Sequence, residues 1–236
     1  MQDSIEITVN EAGTGSPVRG HRTLASAIFS QLRSDIVACR IQPGEKLIVS
    51  AISARFDVSL AAVREALSRL VAAGLVVAED QRGFRASPLS IDDLMDLTHT
   101  RIEIESLALR RSITRGGDDW RANVAAAWNE LKVVPRTLAH DPGQHNPAWS
   151  VMHARFHNTL VSGCGLRWLM EFRDKLYEQS ERYRQMAVAI KPEGRNVDDE
   201  HRIIVEATLD GDAETACAEM ARHIERTATD IAQVYR

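Results

Sequence analysis

Apolar residues recur along most of the chain with the spacing of an α-helix. Near the N-terminus they stand four residues apart, at Leu24, Ile28, Leu32 and Ile36. This spacing places them on one face and predicts an amphipathic helix over 23–40. The same pattern predicts a short helix over 49–56. A third helix is expected over 59–73, with Ser59 as its N-cap and Gly74 directly after its end.

The pattern changes after the third helix. Residues 75–77 and 84–86 are short extended runs, and Gly83 lies in the tight turn between them. Three helices followed by a hairpin predict a winged helix-turn-helix domain over 22–87. The polar stretch 1–21 that precedes this domain is expected to be a flexible tail.

From Ser90 onward the helical pattern continues alone. Ser90 and Asp93 form a capping box for a helix that is expected to end at 116. Glycine and proline positions divide the rest into further helices over 118–138, 147–163, 165–189, 197–209 and 212–236. A loop is expected over 140–147. Residues 88–236 are thus predicted to form an all-α antiparallel bundle, which makes the whole chain mainly α.

Charge separates the two segments. Residues 19–85 carry ten basic and six acidic side chains, whereas residues 86–236 carry 19 basic and 24 acidic ones. A basic first segment is compatible with nucleic-acid binding. The sequence shows no apolar stretch of the ~18 residues that a membrane span needs and no signal-peptide pattern. Together with three scattered cysteines, these features favour a cytoplasmic protein.

The predicted third helix carries residues that suit DNA. In a helix-turn-helix the start of the second helix meets the major groove, where Ser59 and free N–H groups can hold a phosphate. Arg64 lies one turn further on, away from the apolar face, and can reach a guanine edge or a phosphate. Arg82 stands beside Gly83 in the wing. For an arginine considered alone, simple solvent exposure is the alternative.

This segment resembles the DNA-binding domain of GntR-family bacterial transcription regulators over 22–87. The matching residues are Leu32-Arg33, Pro43-Gly44-Glu45-Lys46-Leu47, Val58-Ser59, Val63-Arg64-Glu65-Ala66-Leu67-Ser68-Arg69-Leu70, Gly74-Leu75-Val76 and Arg82-Gly83-Phe84. The resemblance implies a homodimer on a palindromic operator. The DNA contacts that it implies are Ser50, Ser59, Leu60, Ala61, Arg64, Arg82 and Gly83. Ser50, Leu60 and Ala61 depart from the family's residues, and Leu60 or Ala61 can contact a thymine methyl group.

Four histidines form the second group of candidate residues. His153 and His157 are four residues apart on one helix face, a spacing that suits a shared metal ion. His201 and His223 lie on the last two predicted helices, which can pack beside that face. All-imidazole ligation suits Zn, Ni, Co or Cu better than Mg or Ca. Ordinary surface or core histidines are the alternative for any pair.

The helical segment resembles the FCD effector domain of FadR-type GntR regulators over 90–230. The matches are Arg101-x-x-Ile104-Glu105, Phe156-His157-x-x-Leu160, Ser162-Gly163, Glu200-His201-Arg202-x-Ile204, Gly211-Asp212 and His223. Many members of that family bind a metal through one Asp and three His. The resemblance implies ligands at His157, His201 and His223, and His153 stands where the family has Asp. A divalent metal, Zn or alternatively Ni, is therefore expected on all four histidines.

The same resemblance implies a small organic acid that is held by the metal and by Arg101. A guanidinium can donate two parallel hydrogen bonds to a carboxylate, and His in place of Asp leaves the pocket more positive. A carboxylate or dicarboxylate effector is therefore expected. Residues 149–164 with Tyr183-Arg184 further resemble a subgroup that represses dicarboxylate and amino-acid catabolism. The alternative for Arg101 is an ion pair with Glu105, one turn further along the helix.

Together the resemblances imply a ligand-responsive transcription regulator and not an enzyme. It is expected to be a repressor of an operon for organic-acid catabolism, with the helix from Ser90 linking the effector to the wing. One alternative is a metal-dependent helical-bundle enzyme. Di-iron bundles need two Glu-x-x-His pairs, whereas this chain has Asp198-x-x-His201 once and no nucleophile elbow. A regulator whose metal is purely structural is the other alternative.

Overall fold

The chain folds into a small mixed unit followed by a helical one. Residues 18–80, 82–186 and 195–233 are described by a computed structural model. The first unit consists of α1 (Val18–Val37), β1 (Lys46–Leu47), α2 (Val49–Phe56), α3 (Leu60–Ala72), β2 (Val76–Glu79) and β3 (Gly83–Ala86). The second consists of α4 (Ile91–Arg115), α5 (Asp118–Leu131), β4 (Thr137–Leu138), β5 (Asp141–His145), α6 (Pro147–Val161), a 3-10 turn (Ser162–Cys164), α7 (Arg167–Met186), α8 (Val197–Asp210) and α9 (Ala213–Ala232).

Packing in the first unit follows the apolar faces of its helices. Val63, Leu67 and Leu70 of α3 are fully buried against α1, as their spacing predicts. The hydroxyl of Ser59 accepts a hydrogen bond from the backbone N–H of Ala62 at 3.2 Å, so the predicted N-cap is confirmed. The helix-turn-helix therefore presents the start of α3 at the surface.

The wing is a three-stranded antiparallel sheet in the order β1–β3–β2. Strands β2 and β3 are the predicted hairpin, with Glu79 opposite Gly83. Gly83 has a φ of +96°, a left-handed conformation that glycine adopts without steric cost. Strand β1 is an addition to the predicted elements. It has two residues, too few for an alternating pattern, and pairs Lys46 with Arg85.

The second unit is a bundle of α4 to α9, in which α4 packs along α7 and α9. This confirms the mainly α fold class with a winged helix-turn-helix and a helical bundle. Ser90 caps α4 by accepting a hydrogen bond from the N–H of Asp93 at 3.1 Å. The apolar core of the bundle joins α4, α5, α6, α8 and α9, and includes Leu109, Val124, Phe156, Ile204 and Met220.

The region after α5 differs from the prediction. The helix ends at Leu131 and not at residue 138, because Pro135 has no N–H with which to continue it. Strands β4 and β5 then pair as a small antiparallel hairpin, with β4 at the end of the expected helix and β5 within the expected loop. This hairpin leads directly into Asn146, whose side chain caps α6.

The ends of the first helix also differ from the prediction. Helix α1 begins at Val18, inside the stretch expected to be a tail. It ends at Val37 and not at residue 40, since Cys39 takes a left-handed φ of +52°. The remaining tail residues 1–17 and the predicted helical ends at 187–189 and 234–236 lie outside the described residues.

Helix α7 connects the two units. Glu178 of α7 forms an ion pair with Arg33 of α1 at 2.5 Å. The Gln179 side chain donates to the carbonyl of Ala73 at 3.2 Å. The hydroxyl of Tyr183 donates to Asp93 at 2.5 Å, at the start of α4. A displacement of α7 would therefore be felt at both the DNA-binding unit and α4.

Two expectations from composition can be compared with the structure. Cys39, Cys164 and Cys217 are free and buried, so they act as small core residues. In the part of the chain that the structure describes, none of the helices has both the length and the apolarity for a membrane crossing.

Candidate functional site

The residues expected to contact DNA are exposed on the first unit. They are Ser50, Ser59, Leu60, Ala61, Arg64, Arg82 and Gly83. They come from the start of α2, the start of α3 and the turn between β2 and β3. These are the segments that a winged helix-turn-helix turns toward DNA.

Two of these residues offer unpaired positive charge. Within the described chain, neither Arg64 nor Arg82 forms an ion pair. By contrast, Arg55 pairs with Asp35 at 3.3 Å and Arg85 pairs with Glu79 at 3.1 Å. An exposed cation without a carboxylate partner can neutralise a phosphate without first breaking an ion pair.

The four predicted metal ligands meet inside the bundle. His153 and His157 come from α6, His201 from α8 and His223 from α9. The Nε2 atom of His157 lies 3.0 Å from Nε2 of His153 and 3.4 Å from Nε2 of His201. One nitrogen from each of the four rings lies within 4.8 Å of the others. We call these residues the histidine tetrad.

The tetrad is enclosed by aromatic rings. Trp149 stacks on His153 with ring centroids 4.4 Å apart, and Phe156 meets the edges of His157 and His201 at 5.2 Å each. All four histidines are buried, with at most 6% of any residue exposed. Water therefore has little access to the ring nitrogens in this arrangement.

Burial keeps the tetrad uncharged. It lowers the pKa of His153, His157 and His201 well below the usual value, and repulsion from neighbouring cations and imidazoles adds to this. Burial also lowers the pKa of His223, against an opposing hydrogen bond to Glu200. Neutral imidazole is the form that binds metal ions.

The donor set fits a single transition-metal ion. Imidazole nitrogens are ligands for Zn, Ni, Co and Cu, and four of them converge here. The Nδ1 atom of His201 is buried and has no hydrogen-bond partner among the described residues.

A carboxylate holds the outer side of His223. The Nδ1 atom of His223 lies 2.8 Å from Oε2 of Glu200. Arg195 donates to the two oxygens of Glu200 at 2.9 and 2.7 Å, and Arg226 donates at 3.1 Å. Burial alone would raise the pKa of Glu200, but the hydrogen bonds from His223 and Arg195 hold it well below its usual range. Glu200 is therefore ionised.

An arginine holds the outer side of His153. The Nη1 atom of Arg184 lies 2.9 Å from Nδ1 of His153. The same nitrogen donates to Glu181 at 2.6 Å, one turn earlier on α7. Nδ1 of His153 thus faces a cation, whereas Nδ1 of His223 faces a carboxylate at 2.8 Å and has Nη2 of Arg195 further away, at 3.5 Å.

Arg101 lies beside the tetrad and is paired. Its Nη2 donates to Glu105 at 3.1 Å, so the alternative interpretation of this residue is present in the structure. Glu105 also accepts a hydrogen bond from Nε of Arg173 at 3.0 Å. Nε of Arg101 and Nη2 of Arg173 are buried without hydrogen-bond partners in the described chain. Two guanidinium groups therefore share one carboxylate and keep unused donors.

Tyr177 is a neighbour of both the arginines and the histidines. The guanidinium carbons of Arg101 and Arg173 lie 5.3 and 4.7 Å from the centre of the Tyr177 ring. The ring of His157 lies 6.5 Å from the same ring. Burial raises the pKa of Tyr177 to about 12, so its hydroxyl stays protonated. The arginines and the tetrad thus share Tyr177 as a neighbour.

Arg173 and Arg184 are not among the site residues predicted from the sequence. On α7 they stand in line with Tyr177 and Ser180, and these four positions recur every three or four residues. This spacing marks the face that turns toward the bundle, where apolar side chains are usual. Arginines at these core-facing positions could have identified the two residues from the sequence, because charged groups are seldom buried without a partner.

The fold and the site define a class of protein. A winged helix-turn-helix with free surface arginines is joined to a helical bundle with a buried cluster of metal-binding side chains. Residues 24–85 match the family of bacterial regulatory proteins called gntR, and residues 96–226 match the FCD domain. The chain therefore belongs to the gntR family and carries an FCD domain.

Two relatives show the extent of the similarity. HTH-type transcriptional regulator BphR of Paraburkholderia xenovorans (strain LB400) is 38% identical over 92% of this chain and 89% of its own. HTH-type transcriptional repressor GlaR of Escherichia coli (strain K12) is 32% identical over 83% of this chain and 90% of its own. The family and these relatives are transcription regulators and not enzymes.

Solved structures show the same fold. McbR/YncC of E. coli superposes with a TM-score of 0.72 at 18% identity, over 90% of this chain and 99% of its own. A GntR regulator from Rhodococcus sp. RHA1 gives a TM-score of 0.69 at 20% identity, over 91% and 100%. The chain is thus a transcription regulator of the gntR family with an effector domain.

Proposed function

We propose that the chain is a repressor that binds a two-fold related operator as a homodimer. The exposed, unpaired Arg64 at the start of α3 is the observation that carries the DNA-binding surface. One winged helix contacts only a few base pairs, so a second copy is needed for a specific site. GlaR, which is similar over most of its length, is named a repressor. Operator binding places the protein in the cytoplasm, with the chromosome.

Selection from a random DNA library tests this proposal. The enriched sequences are expected to contain two inverted half-sites about one helical turn apart, and sedimentation should give two chains per duplex. Enrichment of a single, non-repeated half-site by a monomer would contradict the proposal. A reporter placed behind the selected site distinguishes repression from activation.

A divalent transition metal, Zn or Ni, occupies the tetrad in this proposal. The convergence of four neutral imidazoles within 4.8 Å supports it. The metal would supply a fixed positive charge inside the bundle and an attachment point for an anionic group. Elemental analysis of gently purified protein should give about one ion per chain. Protein without metal that also takes up neither Zn nor Ni would exclude this site.

A small organic acid, a carboxylate or dicarboxylate, is the proposed effector. Arg101 and Arg173 share the buried Glu105 and keep unused buried donors, and the second carboxylate near Arg173, that of Asp174, is mostly exposed. A carboxylate can accept parallel hydrogen bonds from such a guanidinium. Calorimetric titration with succinate and glutarate should show binding that weakens at least about tenfold in Arg101→Gln. Binding that is unchanged in this variant would remove Arg101 from the effector site.

The effector acts on DNA binding through α4 and α7 in this proposal. Arg101 lies on α4, and α7 carries Arg184 beside the tetrad and Glu178 and Gln179 against the DNA-binding unit. An acid that binds the two arrangements of these helices unequally must shift operator affinity. The expected factor is about 5- to 150-fold, and operator DNA must change acid affinity by the same factor. An acid that binds without this reciprocity would favour the purely structural metal.

A further inference from the structure

The two ends of the histidine tetrad are held in opposite ways. Arg184 places an N–H donor 2.9 Å from Nδ1 of His153. A guanidinium has five donors and no acceptor, so Nδ1 of His153 must present its lone pair to Arg184. A neutral imidazole carries a single proton on nitrogen, and that proton must then lie on Nε2.

His223 has the reverse arrangement. Its Nδ1 lies 2.8 Å from Glu200, an ionised carboxylate that can only accept. Nδ1 of His223 therefore carries the proton, and the lone pair of Nε2 is free. This is the carboxylate–histidine arrangement that orients imidazole ligands in metal sites.

The proton on His153 is directed into the tetrad. Its Nε2 lies 3.0 Å from Nε2 of His157, which must accept this hydrogen bond with its own lone pair. The contact with Arg184 fixes this tautomer, and the distance to His157 is compatible with it. In that tautomer His153 offers an N–H to the centre of the site, and a metal ion cannot bind there.

Ligation by His153 would require Arg184 to leave. If the proton moved to Nδ1, two N–H groups would face one another at 2.9 Å. Arg184 is held in place by Glu181 at 2.6 Å, and its side chain is only 16% exposed. Removal of this buried guanidinium from both partners is costly, because charged groups in the interior need compensation.

We propose that His157, His201 and His223 are the metal ligands and that His153, held by Arg184, is a hydrogen-bond donor to the effector carboxylate. This inference rests on the proposed metal and effector and divides the roles within the tetrad. Three protein ligands leave coordination positions open for an anion. An N–H that points at those positions can stabilise a bound carboxylate, together with the proposed effector donor Arg101.

The tautomers can be measured without any metal. In metal-free protein labelled with ¹⁵N-histidine, two-bond ¹H–¹⁵N spectra report which ring nitrogen carries the proton. We expect an Nε2–H tautomer for His153 and an Nδ1–H tautomer for His223, assigned with His153→Phe and His223→Phe. An Nδ1–H or doubly protonated His153 at neutral pH would overturn the inference, whatever the metal does.

Matched variants on one helix test the ligand set. His153→Phe keeps a ring against Trp149 and removes both nitrogens, and His157→Phe does the same one turn further on. With Co(II) as the probe, His153→Phe should keep one ion per chain within about threefold of wild-type affinity. His157→Phe should lose at least about 100-fold, beyond what outer partners of a metal site usually contribute. Equal losses would make His153 a ligand and overturn the inference, while the proposed metal site would stand.

Arg184→Met gives the most specific outcome. Without the arginine, His153 can turn its lone pair toward the metal, so X-ray absorption of the Co(II) protein should change from three imidazoles to four. Arg167→Met on the same helix removes an ion pair of the same 2.6 Å length, with Glu171, and should leave the count at three. Four imidazoles in the wild type would overturn the inference. No metal in any form of the protein would overturn the proposed metal site and this inference with it.

Effector binding distinguishes the two roles proposed within the tetrad, metal ligation and hydrogen bonding to the acid. In zinc-loaded protein, His153→Phe should weaken glutarate or succinate at least about tenfold while the metal content stays at one per chain. Unchanged affinity in a variant that keeps its metal would show that His153 is not a donor to the acid.

Discussion

The DNA-binding unit and the helical bundle bury different kinds of side chain. Among the described residues, the interior of the first unit is apolar apart from Asp35 at its edge. The bundle buries four histidines together with Arg101, Arg173 and Glu105. An apolar interior stabilises a shape and leaves recognition to the surface. Burial of a polar cluster costs free energy unless all of its groups are paired. Such a cluster in the bundle therefore indicates a site that binds a ligand or a metal ion.

The comparison also explains where the two sites lie. The DNA-contacting candidates are exposed and carry unpaired arginines, because phosphates approach from solvent. The effector candidates are enclosed by Trp149 and Phe156, where the attraction between opposite charges is less screened. Helix α7 touches both regions and is therefore the element through which one can influence the other.

The largest expected effect is the loss of the buried carboxylate from the bundle. Glu105→Gln leaves the guanidinium groups of Arg101 and Arg173 buried without the carboxylate that they share, so we expect a loss of about 3–5 kcal/mol in the free energy of unfolding. Urea unfolding measures it. The exposed Arg202→Met, which breaks a surface pair with Glu206, is the control and should cost at most about 1 kcal/mol. Equal effects would mean that burial of the charge is unimportant.

A cavity in the DNA-binding unit should be nearly as costly. Leu67 is fully buried in α3, and Leu67→Ala is expected to cost about 2–5 kcal/mol by lost transfer and cavity terms. Leu60→Ala, on the exposed side of the same helix, is the control. A chelator should not alter the cost of Leu67→Ala, because that core contains no metal ligand.

Metal removal should act on the bundle alone. An ion present at a hundred times its dissociation constant stabilises the folded chain by about 3 kcal/mol. Thermal unfolding with and without chelator should therefore differ in the wild type and coincide in His157→Phe. If the chelator still lowered the unfolding temperature of His157→Phe, the metal would bind at a site other than the tetrad.

A smaller effect is expected at the DNA surface. Arg64→Ala should weaken binding to a selected operator by about 1–3 kcal/mol if the side chain reads a base, and relax the sequence preference there. Arg82→Ala should weaken all sequences alike and lower the salt dependence by about one unit, as expected for a phosphate contact. Fluorescence anisotropy at several salt concentrations measures both. If either variant bound the operator with unchanged affinity at fixed salt, the substituted arginine would not contact DNA.

Acid should lower the stability of the helical bundle and of the DNA-binding unit in different pH ranges. In metal-free protein the lowered pKa values of the tetrad mean that unfolded histidines bind protons before folded ones do. Stability is then fully present above about pH 6.5 and falls below it, by at most about 1.4 kcal/mol per pH unit for each histidine.

The first unit should respond only in stronger acid. Burial alone would raise the pKa of Asp35, but hydrogen bonds from Arg40 and Gln31 bring it below the usual value of 3.8. Its contribution is present above that value and is lost as the pH falls through the folded pKa. If metal-free protein lost its histidine-linked stability near pH 4 and not near pH 6, the bundle would not be more sensitive to mild acid than the DNA-binding unit, and the prediction would be wrong.

Much of the fold was predictable because its signals are local. The caps at Ser59 and Ser90 and the apolar spacing of α3 each depend on a few neighbouring residues. The hairpin of β4 and β5 was not predictable, since it depends on pairing across a turn with no alternating pattern. Among the site residues, the His153–His157 spacing is local, whereas Arg173 and Arg184 have no characteristic spacing to the histidines.

The sequence by itself determined which side chains are available, namely four histidines and the arginines of a winged helix. Its resemblance to a known family also indicates a regulator. Tertiary structure decided how they are used. Arg184 meets His153 across 31 positions of the chain, and Arg173 meets Glu105 across 68. The tautomer of His153 and the sharing of Glu105 by two arginines depend on such distant partners. They follow from the packing of α7 against α4 and α6, and no local pattern encodes them.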